Sequence, residues 1–321
     1  MQSRTKFVLT AVAAVGFVSV QSVHAVGQAM TTGNGDGTLD ITVDGYGAFG
    51  SVVTTDAGPA NYDPVGVVPQ ASSVFQSALA IRMNQTSGTR QYLSSSTIYN
   101  NSLPTIPISG TSTTANSNFS YGGLNVALGQ VLAPVLDAGL NQVGSMLTQT
   151  YVFTNPPTAQ AANFEVVRYV DGDLLFDGSL IDGGGRLVVG STEYLFEIDS
   201  ATNASTDTTL VAISGVGGTH PATNRYEIDS YSGTRQRWGD GLALDGIITG
   251  DGGDADQFID AGNGYDVTLG LRNLFSLQPG QSGTYVATTI WGSIAPENIP
   301  EPTTIMVFAG AGALMLRRRS S

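Results

Sequence analysis

Residues 163–199 read NFEVVRYVDGDLLFDGSLIDGGGRLVVGSTEYLFEID. Runs rich in valine, leucine and aromatics, at 163–170, 186–190 and 193–199, are parted by Asp171-Gly172, Asp177-Gly178 and Asp182-Gly183-Gly184-Gly185. Branched and aromatic side chains suit a pleated, half-buried surface. Asx-Gly pairs supply the backbone angles of tight turns. The stretch predicts short strands joined by short turns.

The same texture continues on both sides. Further strands are predicted at 173–180, 208–213, 225–231, 242–249, 264–271 and 283–290, a spacing that fits a sandwich or barrel. No ten-residue amphipathic helical run separates them, which argues against a parallel α/β sheet. Upstream, Leu39, Ile41 and Val43 alternate with Asp40, Thr42 and Asp44, a half-buried strand where the body starts. Between 45 and 118 five prolines punctuate short strand candidates such as 78–83 and 97–99, and GTSTTANSN at 110–118 reads as a mobile loop. From Leu124 to Leu147 the apolar spacing suits a helix, but Gly129, Pro134, Gly139 and Gly144 interrupt it. Two strands, 119–128 and 147–154, around a short helical turn are preferred. The expectation is an all-β, antiparallel β-sandwich body over 31–296. Either it is one large domain or two tandem sandwiches divided near Pro156-Pro157; one domain is preferred.

Composition narrows the function. Of 321 residues only 12% are charged, with 13 Lys and Arg against 26 Asp and Glu, a net charge of −13. Five of the 13 bases (Arg4, Lys6, Arg317, Arg318, Arg319) lie in the terminal segments, which leaves eight bases against 26 acids and −18 on the body. Such a surface repels nucleic acid and anionic lipid, so neither is an expected partner, and it attracts divalent cations. The absence of cysteine excludes disulfides, thiolate metal sites and thiol nucleophiles.

Both ends read as addresses. Arg4 and Lys6, an apolar run from Phe7 to Val20 and Val23-His24-Ala25 have the three parts of a secretory signal peptide over 1–25. It would pass through the secretion translocon and be cut by signal peptidase after Ala25. At the other end stand Pro300-Glu301-Pro302, the apolar run TTIMVFAGAGALML at 303–316 and Arg317-Arg318-Arg319. The two prolines hold an extended, helix-incompatible segment. The apolar helix behind it is shorter than the about 20 residues of a spanning helix, and the arginines extend it by snorkelling on the cytoplasmic side.

Residues 299–321 closely resemble the PEP-CTERM sorting signal of bacterial exported proteins. That resemblance implies an exosortase partner that recognises Pro300, Glu301 and Pro302 and removes the tail. It also implies export to the cell surface or exopolymer matrix, with at least transient anchoring in the membrane. The same tail occurs on some ice-binding proteins. It covers only the end of the chain and leaves the body's activity open.

Within the body, Phe196-Glu197-Ile198-Asp199-Ser200 returns as Tyr226-Glu227-Ile228-Asp229-Ser230. On a strand each copy puts Glu and Asp on one side, with the aromatic residue and Ile on the other. Paired strands would gather four carboxylates, a cation site or a general acid and base for glycoside cleavage. The preferred reading is plainer: two acidic, solvent-facing strand sides. Asp251, Asp254, Asp256 and Asp260, among glycines, are the candidate calcium ligands, although their spacing does not fit an EF-hand and an acidic turn explains them as well. The same turn reading holds for Asp171, Asp173 and Asp177 and for Asn34, Asp36 and Asp40.

Tyr226, Tyr231 and Trp238, near Arg225, Arg235 and Arg237, could form a sugar platform, but a role in the core is preferred. His220 is the one histidine past the signal peptide, with no G-x-S-x-G, P-loop or G-x-G-x-x-G, and Lys6 is the only lysine. No catalytic residue and no organic cofactor is expected; calcium is the one candidate. The preferred function is an exported, non-catalytic surface or matrix protein, associating with extracellular polysaccharide. A secreted carbohydrate-active hydrolase using Asp and Glu is the alternative, and an ice- or surface-binding protein, which should carry Thr-x-Thr ladders, ranks last.

Overall fold

A computed structural model describes residues 26–66, 68–99, 102–200, 209–253 and 256–299. The predicted signal peptide ending at Ala25, the motif Pro300-Glu301-Pro302, the apolar run 303–316 and Arg317, Arg318 and Arg319 lie outside the described residues. Among the described residues no helix is long and apolar enough to cross a membrane.

The chain is mostly β with antiparallel sheets in a sandwich-like arrangement. Its strands are β1 (Gly27–Thr31), β2 (Leu39–Asp44), β3 (Ala60–Tyr62), β4 (Ala71–Ser72), β5 (Val74–Arg82) and β6 (Gln91–Leu93). Next come β7 (Ile108–Gly110), β8 (Thr114–Tyr121), β9 (Leu124–Leu136), β10 (Gln142–Thr154), β11 (Ala162–Gly172) and β12 (Gly183–Val189). Then follow β13 (Thr192–Ile198), β14 (Thr209–Val216) and β15 (Tyr226–Ser230), the short helix α1 (Tyr231–Gly239), and β16 (Val267–Leu277) and β17 (Ser282–Ser293).

The largest sheet runs β12-β13-β14-β17-β10-β9-β8-β7, and opposite it stands β15-β16-β11-β5-β6, with a small sheet β1-β2-β3-β4 beside them. Between the two large sheets Phe164, Val166, Phe275 and Leu277 meet Leu124, Leu128, Tyr151, Phe153 and Tyr285. Val170, Val267 and Leu269 meet Leu147, Val211, Ile213 and Trp291, with Leu39, Ile41 and Val43 of the small sheet closing that end. Residues before and after Pro156-Pro157 share sheets, since β11 pairs with β5 and β10 with β17.

The outer sides of the large sheets differ. That of the five-stranded sheet is covered: Val167 and Tyr169 pack with Tyr92, Tyr99, Trp238 and Leu244. Trp238 stands on Gly270, where an added Cβ would lie 2.4 Å from its ring. In the eight-stranded sheet, Tyr194, Phe196, Ala212 and Ile290 are covered by Phe258 and Ile299. The β8–β10 part of the same side is open to solvent.

Several expected elements differ. Strands 173–180 and 242–249 are absent because Asp177 and Asp245 each accept the N–H two residues on (2.7 and 2.8 Å), closing Asx turns that take the backbone out of a ladder. Residues 97–99 lie in a turn. The helical turn expected after 128 is replaced by continuation of β9 and a tight connection at 137–141. The loop expected at 110–118 is the turn of the β7–β8 hairpin only as far as 113; from Thr114 it is strand β8, whose inward positions, Ala115 and Ser117, are small, which hides the alternation.

Candidate functional site

The repeated FEIDS and YEIDS segments form β13 and β15, which lie in different sheets and do not pair. On β13 the aromatic and isoleucine side chains enter the outer cluster, while Leu195 and Glu197 turn into the space between the sheets. On β15 it is Ile228 that faces between the sheets. Glu227 lies under α1, accepting from Trp238 Nε1 (2.8 Å), the Asp245 N–H (3.2 Å) and Arg237. Both glutamates are fully buried, which corrects the solvent-facing expectation. Both sides of each strand are covered there, and the two glutamates do not form an open pair for glycan cleavage. Burial raises the Glu227 pKa against the pull of Arg237 and Trp238.

The calcium candidates are engaged locally. Asp251 accepts the Gly253 N–H and Asp256 the Phe258 N–H, each at 2.9 Å. Asp260 lies against Gly252, and Asp254 is outside the described residues. Among the described residues no three His, Asp or Glu side chains are placed to hold a metal ion between them.

The sugar platform is dispersed. Trp238 is fully buried, the Arg186 guanidinium covers the Tyr226 ring at 4.8 Å, and Tyr231 packs edge-on to Phe75. Arg225 pairs with Glu193 (2.9 Å) and Arg237 with Glu227 and Asp229. Arg235 alone reaches a cleft, with Tyr92, Tyr99 and Asp240, but at about 110 Å³ it is too small for a sugar ring.

The open surface lies elsewhere, on the outer side of β8, β9, β10 and β17. The register aligns Ser120, Asn125, Thr154 and Ser282 in one row and Asn118, Ala127, Val152 and Thr284 in the next. Asn116, Gly129, Thr150 and Val286 form a third row, and Thr114, Val131 and Thr148 a fourth whose β17 member, Thr288, is buried. Strand spacing sets neighbours in a row about 4.8 Å apart, and two residues of rise set successive rows about 6.7 Å apart. None of these residues is charged. Asn118, Ser120, Asn125, Ala127, Val152 and Thr154 border a shallow depression of about 320 Å³. The Thr154 and Ser282 hydroxyls there are 2.8 Å apart, and Ser120 donates to Asn125 (3.1 Å).

These residues escaped sequence reasoning, yet a signal was present. Between Arg90 and Glu165 the single charged residue is Asp137. Within a body carrying −18, that gap marks a segment kept free of charge. The fold and the face define a sandwich-like β-protein with one open, neutral sheet side. Compared with known proteins, the chain matches no family model and no curated protein.

Proposed function

We propose that this chain is an exported, non-catalytic protein of the cell surface or exopolymer matrix, sorted by its PEP-CTERM-like tail through an exosortase, whose β-sandwich body holds neutral polysaccharide on the charge-free face. The observation that carries the body's role is the four rows of uncharged side chains on an otherwise acidic protein. A neutral polymer meets hydroxyl, amide and methyl groups there without stripping water from a charge. An acidic polymer is repelled by the rest of the body. Weak contacts repeated along a chain add through effective concentration, which suits a flat face better than a deep pocket. Burial of Glu197 and Glu227 counts against the hydrolase alternative.

Co-sedimentation of the exported protein with insoluble neutral and anionic polysaccharides tests this reading. Retention by the neutral polymers and exclusion from the anionic ones is expected; equal retention by both sinks the role of the neutral face. Intact mass of the surface-released protein, with and without a working exosortase, tests the sorting: the tail near Pro300 should be lost only when the enzyme is present.

A second reading draws on the same face. Thr148 and Thr150 lie two apart on the outer side of β10, with Thr154 further along it, a partial ladder for ice or another neutral surface. Arrest of ice growth, with no retention by any polysaccharide, would favour it.

A further inference from the structure

Between the two large sheets is a carboxylate pair that no cationic side chain among the described residues neutralises. Glu197 is fully buried on β13, and neither of its oxygens has a hydrogen-bond partner among the described residues. Asp182, just before β12, is 1% exposed and is likewise unbonded at both oxygens. Gly184 pairs with Glu197 and Gly183 with Ile198. Asp182 is therefore diagonal to Glu197 on the same side of the sheet, where such neighbours lie about 7–8 Å apart.

The pair faces the other sheet. The Glu197 carboxylate rests on the backbone of Gly172, at the end of β11, so closely that a Cβ there would stand 1.4 Å from Oε2. The strongest charges acting on the pair come from other acids: Asp171, Asp173 and Asp266 on Glu197, and Asp199, Asp177, Asp266 and Asp173 on Asp182. Burial and this field hold Glu197 well above the usual carboxylate range and push Asp182 up to about 8. A buried carboxylate without a donor needs either a proton or a cation.

We propose that Glu197 and Asp182 ligate a hard divalent cation of calcium's size, at the place where β13 meets the end of β11, and that the ion ties the two large sheets together. Asp171, Asp173 and Asp266 supply the negative field that draws it in. Two carboxylates are fewer than a self-sufficient acidic shell, but they offer four oxygens. Calcium accepts six to eight, with main-chain carbonyls and water completing the set. Magnesium demands a near-ideal octahedron and sheds water reluctantly, so it fits a buried, irregular site less well. The site is distinct from the 251–260 loop, whose Asp251 and Asp256 serve their own turns.

The test is titration of the EDTA-washed exported protein with calcium chloride at pH 7.5, followed by calorimetry and thermal unfolding. One equivalent should bind, and Tm should rise by about 5 °C at a hundredfold excess over Kd. Glu197→Gln and Asp182→Asn keep the shape and remove the charge. Each should weaken calcium binding at least about tenfold, and each should be no less stable than the wild type in EDTA. Asp251→Asn combined with Asp256→Asn should leave binding unchanged. Calcium binding that survives both single substitutions, or that is lost in the loop double variant, overturns the proposal. So does a wild-type Tm that ignores calcium and climbs as the pH falls, which would assign a proton to the pair.

Discussion

The carboxylate of Glu197, from one large sheet, lies on the backbone of Gly172 in the other, with no room between them for a methyl group. Gly172→Ala is therefore expected to push that carboxylate aside within a closed interior, at a cost of about 1–3 kcal/mol. Removing the obstacle should recover part of this. Urea unfolding of the wild type, Gly172→Ala, Glu197→Ala and the double variant should give a coupling energy of about 1 kcal/mol or more. Additive costs would mean that the two residues do not sense each other.

On the outer side of β11, Glu165 is fully buried and takes three guanidinium groups: Arg82 and Arg90 at 2.7 Å and Arg272 at 2.5 Å. Arg90 also donates to the carbonyls of Trp238 (2.8 Å) and Leu242 (2.6 Å), so the glutamate anchors the segment that covers this sheet. Glu165→Ala strands buried positive charge and should cost about 3–5 kcal/mol in urea unfolding. Because the group is out of solvent, the loss should persist in high salt. A cost that salt abolishes would place the interaction at the surface instead.

The strands that could be read from sequence were those with one dominant composition. NFEVVRYV and EYLFEID carry the branched and aromatic residues that suit strands, and they form β11 and β13. The separation of Glu197 from Phe196 and Ile198 was also legible, because it follows from a period of two. Which side faces the core was not, because Phe258 and Ile299 cover one side of β13 and the opposing sheet covers the other. Polarity then no longer distinguishes inside from outside. At β8, Ala115 and Ser117 face inward and Asn116 and Asn118 outward, so the pattern carries almost no contrast. Pairing was the other unreadable step. The charge-free face joins residues from β8 to β17 that no local pattern brings together, although the near absence of charge between Arg90 and Glu165 already set that segment apart.

Asp44 gives a pH dependence with a defined sign. It is fully buried, and burial pushes its pKa from 3.8 up to about 6, opposed by donation from the N–H groups of Tyr46, Ala48 and Ser95 and from the Ser94 hydroxyl. A carboxylic acid raised in the folded state contributes stability that is fully present below its unfolded pKa and is lost as pH rises through the folded one. The window is therefore about pH 4 to 6, and the shift of about two units corresponds to about 3 kcal/mol. The difference in unfolding free energy between the wild type and Asp44→Asn, measured at pH 4, 5 and 7, should shift in the wild type's disfavour as pH rises. A difference that is flat with pH, or that slopes the other way, would show that the four donors outweigh burial.

The neutral face makes the sharpest demand on function because its residues contribute little to the fold. Ala127 and Thr150 point outward from β9 and β10, so Ala127→Asp and Thr150→Asp should each cost no more than about 1 kcal/mol, the span of strand propensity. Each places a carboxylate within or beside the shallow depression, where a bound neutral polymer would have to strip its water or leave a gap around it. Retention by neutral polysaccharide should fall at least about tenfold for each, which corresponds to about 1.4 kcal/mol, and should be nearly lost when the two are combined. Val65→Asp, at an exposed position away from this face, adds the same charge and should bind as the wild type does. Equal losses at all three positions would assign the effect to net charge; no loss at Ala127 and Thr150 would move the binding surface elsewhere on the molecule.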